Sequence, residues 1–222
     1  MRVLVIGATG ETGRRVVTTL QARGVTVTAA VRDSAKAKTI LPADLDYVSV
    51  DVLAIEAVPI LTAALQDCDA LICATGARPS LNPIGPLQVD YLGTLNLIKA
   101  AKAAKTKQFI LVSSLCVSRF FHPLNLFYLI LFWKKQAEAA LISSGLTYTI
   151  VRPGGLLSTS KPGGLVVKGA DSLFEGSIPR DRVAEVCADA LLLPAAKNRI
   201  LEIVTEETQP ETSLASWLAA TQ

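Results

Sequence analysis

The sequence predicts an α/β chain, one domain built on a doubly wound parallel sheet with helices on both faces. Three observations carry that expectation. Strand-length and helix-length apolar segments alternate along the chain, several strand segments are apolar throughout, and a glycine-rich turn joins the first strand to the first helix. The pattern reads as repeated βαβ units. Runs such as Ala70-Leu71-Ile72-Cys73-Ala74 and Phe109-Ile110-Leu111-Val112 suit strands covered on both sides.

In order, strands are expected at 2–6, 25–31, 47–50, 69–74, 108–113, 147–151 and 199–204. Helices are expected near 11–23, 55–66, 84–105, 134–144 and 180–193. The first strand, Val3-Leu4-Val5-Ile6, runs into Gly7-Ala8-Thr9-Gly10-Glu11-Thr12-Gly13, and Val16, Val17 and Leu20 follow at helical spacing. A dinucleotide pyrophosphate needs close backbone and free N–H groups at a helix N-terminus. Gly7 allows a sharp turn off the strand, Gly10 leaves room for phosphates, and Gly13 lets helix and strand pack closely. The spacing is the GxxGxxG variant of the Rossmann fingerprint, and its strand–turn–helix setting is the context the motif requires.

Half of the 222 residues are hydrophobic, enough for one large α/β domain with a filled core. Net charge is +3, from 22 basic and 19 acidic residues, with no Lys/Arg run beyond two, which disfavours nucleic acid as a partner. Cys68, Cys73, Cys116 and Cys187 show no metal spacing, and buried free thiols in a reducing compartment are expected for Cys68, Cys73 and Cys187. Met1-Arg2 leads directly into the first strand, so no signal peptide and a cytoplasmic location are expected. The single histidine, His122, excludes a multi-histidine metal site and disfavours a Ser-His-Asp triad.

Two stretches depart from the alternation. Residues 153–179 carry Pro-Gly-Gly and Lys-Pro-Gly-Gly and read as a small substrate-side lobe rather than a second domain. Phe120 to Trp133 is very apolar and aromatic, yet shorter than the roughly 20 residues a bilayer span needs. A buried helix or a hydrophobic cap over the active site is expected there, with peripheral membrane contact or a protein interface as the alternatives.

In open α/β sheets the ligand sits beyond the carboxyl ends of the strands. Those ends supply Gly7, Thr9, Gly10, Glu11, Thr12 and Gly13, then Arg32 and Asp33. An NAD site places an acid after the second strand to hold the ribose 2′-hydroxyl. Arg32 comes first here, and a guanidinium suits a 2′-phosphate, so NADP(H) is expected, with Arg14 or Arg15 assisting. Asp51 and Val52 follow the third strand on the adenine side. Ala74, Thr75 and Gly76 follow the fourth, where the chain passes the cofactor ribose. Arg78, on the same loop, points at the cofactor phosphate or at an anionic substrate. Ser113 and Ser114 end the fifth strand, either as site hydroxyls or as a plain strand cap. Arg152, Pro153 and Gly154, with Gly155, end the sixth and bring backbone up to the nicotinamide carboxamide.

Together these residues resemble the atypical short-chain dehydrogenase/reductase family over nearly the whole chain. The motifs are GATGETG, AVRD, ATGAR, VDYLGTLNLIKAAK, ILVSSL and AEAALISSGLTYTIVRPGG. Two groups within it are most similar: the biliverdin-IXβ reductase/flavin reductases, and the dehydrogenase-like domain of the chloroplast translocon component that binds ferredoxin–NADP reductase. The second resemblance implies a cyanobacterial or plastid lineage, hence cyanobacterial cytosol or plastid stroma.

The resemblance implies a Tyr-x-x-x-Lys pair in members that oxidise alcohols or reduce ketones, the lysine lowering the pKa of a proton-shuttling tyrosine. Lys134 matches the lysine position, but four residues earlier stands Ile130, and Tyr128 is two residues out of register. Carbonyl chemistry is therefore disfavoured, and a nucleotide-sugar epimerase would need the same tyrosine. An oxidised flavin, a bilin or a quinone-like compound tolerates the loss, because solvent can supply the proton. Ser114 aligns with the serine that the bilin reductases place beside the nicotinamide. Gly155 stands where they carry a histidine. The expectation is an NADPH-dependent, monomeric reductase with a flavin as substrate, using Ser113, Ser114, Lys134 and Arg78. The alternative is a weakly catalytic NADP(H)-binding protein that docks to a photosynthetic or redox partner.

Overall fold

The computed structural model describes residues 1–77 and 82–221. Among these residues an eight-stranded sheet runs in the order β3-β2-β1-β4-β5-β6-β10-β8. The strands are β1 (Arg2–Ile6), β2 (Thr26–Val31), β3 (Asp46–Ser49), β4 (Ala70–Cys73), β5 (Gln108–Val112), β6 (Tyr148–Pro153), β8 (Gly164–Lys168) and β10 (Arg199–Glu206). Every ladder is parallel except β8 against β10. The expected Rossmann-type sheet is present, and each of the seven expected strands lies within two residues of its predicted bounds.

Alternation along β1 shows why both faces must be covered. Val3 and Val5 join one core with α1 (Glu11–Ala22), α6 (Arg180–Leu192) and α7 (Leu214–Ala220). Leu4 and Ile6 join the other with α3 (Ala57–Gln66), α4 (Gly93–Ala103) and α5 (Ile130–Ser143). Each fully buried leucine or valine contributes about 1.5–3 kcal/mol relative to exposure. A short α2 (Ser34–Ala37), which the apolar pattern did not signal, follows β2.

The helix expected over 84–105 is two elements. Leu87–Leu92 is a π-helical turn, and α4 begins at Gly93. Such a turn re-aims side chains and recurs at functional sites.

Residues 153–179 contain β7 (Gly155–Leu157) and β9 (Ser177–Pro179), paired in parallel, and β8 at the edge of the main sheet. Glycine permits the close approaches: a Cβ on Gly154 would lie 2.6 Å from the Gly176 carbonyl oxygen.

The buried helix expected over 120–133 holds only from Ile130 onward. Pro123–Leu126 is a 3-10 turn, and Tyr128 and Leu129 have φ of 56° and 59°. Asn125 organises the change. Its Nδ2 donates to the Phe120 carbonyl at 2.7 Å, and its Oδ1 accepts the Leu131 and Phe132 N–H groups at 2.9 and 3.2 Å. Two orphan donors of α5 are thereby satisfied from outside the helix. Phe121 and Leu126 stand 96% and 85% exposed. All four cysteines are free thiols; Cys73 and Cys187 are buried and Cys68 is half-buried. Burial pushes the Cys187 thiol up to about 12. No helix of the described residues is long and apolar enough to cross a membrane.

Candidate cofactor and active site

The β1–α1 turn is fixed by steric exclusion. Gly7 has φ of +78°, a conformation that L side chains rarely adopt. A Cβ on Gly13 would lie 2.1 Å from the Gly7 carbonyl oxygen. The Gly10 N–H donates to that same oxygen at 2.9 Å. Gly10 is the N-cap of α1 and offers no side-chain acceptor to its first turn. The amides of Glu11, Thr12 and Gly13 therefore open a helix with its positive end clear, as an anionic diphosphate requires. Thr9 lies on this turn and Thr12 is buried in the first turn of α1.

Glu11 is exposed and pairs with Arg14 at 2.8 Å and Arg15 at 3.0 Å. Arg15's hydrogen bond holds its carboxyl below the ordinary value. Arg15 also reaches Asp181 at 2.9 Å. Both arginines expected to assist Arg32 are thus engaged with acids. Arg32 is exposed at the end of β2 and forms no ion pair among the described residues. Asp33, the acid that follows it, caps α2 by accepting the Lys36 N–H at 3.0 Å.

Past β3, the exposed Asp51 accepts the Leu53 N–H at 3.0 Å, and the Val52 carbonyl accepts from Asn96 at 2.9 Å. After β4, the Ala74 N–H donates to the Ile6 carbonyl at 3.0 Å, so this loop lies directly against the glycine turn. Arg78 lies outside the described residues.

Two of the candidates expected on the nicotinamide side, Ser113 and Lys134, line one small cavity, bounded also by Thr75, Asp90, Thr94 and Ala137. Lys134 Nζ pairs with Asp90 Oδ1 at 2.8 Å, and Asp90 Oδ2 accepts the Ala77 N–H at 3.2 Å. Gly76 sits beside that pair: a Cβ there would be 3.7 Å from Asp90 Oδ1 and 3.8 Å from Lys134 Nζ. Ser113 is only 7% exposed, and its Oγ has no partner among the described residues. Ser114 is half-buried next to it at the end of β5. Ile130, one helical turn before Lys134, packs against the Leu115–Val117 cluster, and Tyr128 precedes α5 altogether.

Asp90 is the site residue that sequence reasoning missed. Its only signal was an acid inside the apolar VDYLGTLNL stretch, and the π-helical turn delivers it to Lys134.

Arg152, expected to bring backbone up to the nicotinamide carboxamide, is the hub of a buried ionic cluster. Its fully buried guanidinium binds Glu138 through Nε at 3.0 Å and Nη2 at 2.6 Å, and its Nη1 reaches Glu202 at 3.0 Å and Asp171 at 2.9 Å. Burial alone would lower the arginine's pKa; the hydrogen bonds and charges of Glu138, Glu202 and Asp171 outweigh it and raise the value. Glu202 also accepts the N–H groups of Asp171, Ser172 and Leu173 at 2.8, 2.8 and 2.7 Å, fastening that loop to β10. Lys134 and Glu138 are four residues apart on α5, so successive turns of one helix face anchor the cavity and this ionic cluster. The Pro153 carbonyl accepts the Leu115 N–H at 3.0 Å, and the Gly154 N–H donates to the Ile203 carbonyl at 2.9 Å. Gly154's small size is dictated by Gly176 and Val204.

A nicotinamide dinucleotide suits these residues on two independent grounds. The glycine turn is a cradle in which a side chain at Gly7 or Gly13 would clash, and Ser113 presents an unpaired buried hydroxyl where the strand ends converge.

Comparison with known proteins bears this out. A family model described as NAD(P)H-binding matches residues 7–194. An uncharacterised chloroplastic protein of Arabidopsis thaliana is 42% identical over 231 residues, covering 99% of this chain and 82% of that protein. Protein TIC 62, chloroplastic, of Pisum sativum is 36% identical over 234 residues, covering 95% of this chain but 44% of its own length, so the chain spans less than half of that relative. Among solved structures, a protein of Bacillus halodurans described as an NAD-dependent epimerase/dehydratase superposes with a TM-score of 0.85 at 27% identity, over 99% of both chains. The chain belongs to the NAD(P)H-binding family of Rossmann domains, as an atypical short-chain dehydrogenase/reductase.

Proposed function

We propose that this protein is an NADPH-dependent reductase that delivers hydride to an oxidised flavin, or to a related bilin or quinone-like acceptor. One observation carries the reading: Lys134 is held beside Ser113 by Asp90, while the place one turn earlier on α5 is taken by the apolar Ile130. Bound nicotinamide supplies the hydride. The chain's own residues bind the dinucleotide, keep a cation at the nicotinamide end and exclude bulk water. An oxidised flavin accepts hydride at N5 and spreads the resulting charge over its rings, so it makes little demand for an enzymic phenol. Ser114 and Arg78 would orient the acceptor, Arg78 through a flavin phosphate or a bilin propionate.

NADP(H) is preferred because Arg32 forms no ion pair among the described residues and Asp33 is committed to capping α2. Purified protein is expected to oxidise NADPH faster than NADH once FMN or riboflavin is added. Arg32→Ala is expected to narrow that preference about tenfold, since a hydrogen bond to a charged group contributes about 1.5–3 kcal/mol. No turnover with flavins, bilins or quinones would retire this reading. The protein is proposed to act as a monomer in a plastid stroma or cyanobacterial cytosol, in keeping with its chloroplastic relatives.

The exposed Phe121, Leu126 and Phe127 favour a second reading, an NADP(H)-binding protein with little catalysis that docks to a redox or photosynthetic partner, or at a membrane surface. It predicts tight cofactor binding with negligible turnover. Replacing those three side chains by serine would then abolish partner binding in pull-down and leave melting unchanged. If acceptor affinity falls instead, the segment belongs to the catalytic site.

A further inference from the structure

The cavity between β5 and α5 has a volume of about 10 Å³. That is the room one water molecule needs, provided two to four polar groups face it. Those groups are present. Ser113 Oγ lines the cavity, buried and unpartnered among the described residues. Lys134 Nζ, ion-paired with Asp90, carries three N–H donors. Thr75 and Thr94 line the same space, though Thr75 Oγ1 is 3.1 Å from Cys73 Sγ and Thr94 Oγ1 donates to the Asp90 carbonyl at 2.8 Å. A bare buried hydroxyl is rare in native proteins, and its usual remedy is an ordered water.

We propose that this cavity is a water site and that its water serves as the proton donor in place of the missing phenol. The inference rests on the reductase reading above. The water accepts from Lys134 Nζ and donates to Ser113 Oγ, leaving its second O–H for the acceptor. After hydride has reached the acceptor, that O–H bond breaks as a new O–H or N–H bond forms on the reduced acceptor. The water takes a replacement proton from the Lys134 ammonium, and bulk solvent reprotonates the lysine. No electrons move in this relay, and charge balances once solvent has returned the proton. Asp90 is a positioning residue: its carboxylate holds Lys134 over the cavity and ties it, through the Ala77 N–H, to the β4 loop. Acceptors that need a proton on oxygen or nitrogen thereby fall within reach of a site that has no tyrosine.

The test pairs a structure with kinetics. Crystals of the protein, free and with NADP⁺, are expected to show one water within 2.6–3.2 Å of Ser113 Oγ and Lys134 Nζ, the range of hydrogen bonding. Ser113→Ala should lose that water and lower kcat for the quinone menadione by about 100-fold, the lower range of general acid catalysis. The solvent deuterium isotope effect seen with the wild type should change in the variant, whereas a purely structural serine would leave it alone. A dry cavity in both crystals overturns the proposal, as does a water with unchanged menadione turnover in Ser113→Ala. Wild-type inactivity toward every acceptor sinks the reductase reading and the catalytic role together, while the crystals still decide the water.

Discussion

Gly13→Ala is expected to weaken NADPH binding sharply. The added methyl would sit 2.1 Å from the Gly7 carbonyl oxygen and 2.7 Å from its carbon, and neither is a side chain that can swing aside. To make room, α1 must lift from β1, and the amides of its first turn then leave the position the diphosphate needs. Overpacking of this kind costs about 1–3 kcal/mol, occasionally more. Binding should therefore weaken by about 5- to 150-fold, since each 1.4 kcal/mol is about a factor of ten. Calorimetry with NADPH measures the loss, and a thermal melt separates local displacement from unfolding. Gly169→Ala is the control, because a Cβ there meets nothing within 4 Å. Equal affinity in the two variants would remove the steric account of the turn.

The largest loss of stability is expected from Arg152→Met. The substitution fills similar space but leaves Glu138 and Glu202, each about 1% exposed, without their shared cation. Removing one partner of a buried ion pair costs about 3–5 kcal/mol. For a chain of this size that lowers the melting temperature by roughly 6–20 °C. Glu138→Leu in the same chain should restore part of the loss, because the second change removes one of the stranded charges. Glu202 is the poorer site for rescue, since it also holds the amides of Asp171, Ser172 and Leu173.

The stability of the two proteins should depend differently on pH. In the wild type, burial tends to raise the Asp171 carboxyl, but the Ser118 hydroxyl and Arg152 outweigh it and hold it below the ordinary 3.8. A depressed carboxyl contributes stability above its unfolded value and loses it as pH falls through the folded one, so the wild type weakens in acid. Arg152→Met removes the arginine's hydrogen bond and charge from Asp171, so less of that acid-sensitive stability is left to lose. The variant's deficit relative to wild type should therefore be smaller at pH 3 than at pH 7. Denaturant melts at the two values decide it, and a deficit independent of pH would mean that lost packing, not stranded charge, explains the cost.

Much of the architecture was legible because local chemistry spelled it out. Val3 to Ile6 followed by three spaced glycines can hardly be read except as strand, turn and helix, and β4 is apolar along its whole length, as is β5 from Phe109 onward. Lys134 and Ile130 were legible through a motif that counts residues along one helix. Other features depend on partners far apart in sequence. Gly164–Lys168 is a short run between glycine-rich turns, and nothing in it announces an antiparallel edge strand against β10. The Phe120–Trp133 stretch has the composition of a buried helix, yet Pro123 and the hydrogen bonds of Asn125 delay helix formation to Ile130 and leave Phe121 and Leu126 in solvent.

The chain's local order therefore announces the cofactor cradle, because glycine spacing and apolar periodicity act between neighbours and need no distant contact. Which charges meet is settled only when the sheet closes. Asp90 reaches Lys134 through a turn of helix wound one residue wide, and Arg152 collects acids 14 and 50 residues away. Pairings of that kind depend on which strand ends and helix faces become adjacent, and on water being driven from between them, so no pattern along the chain encodes them.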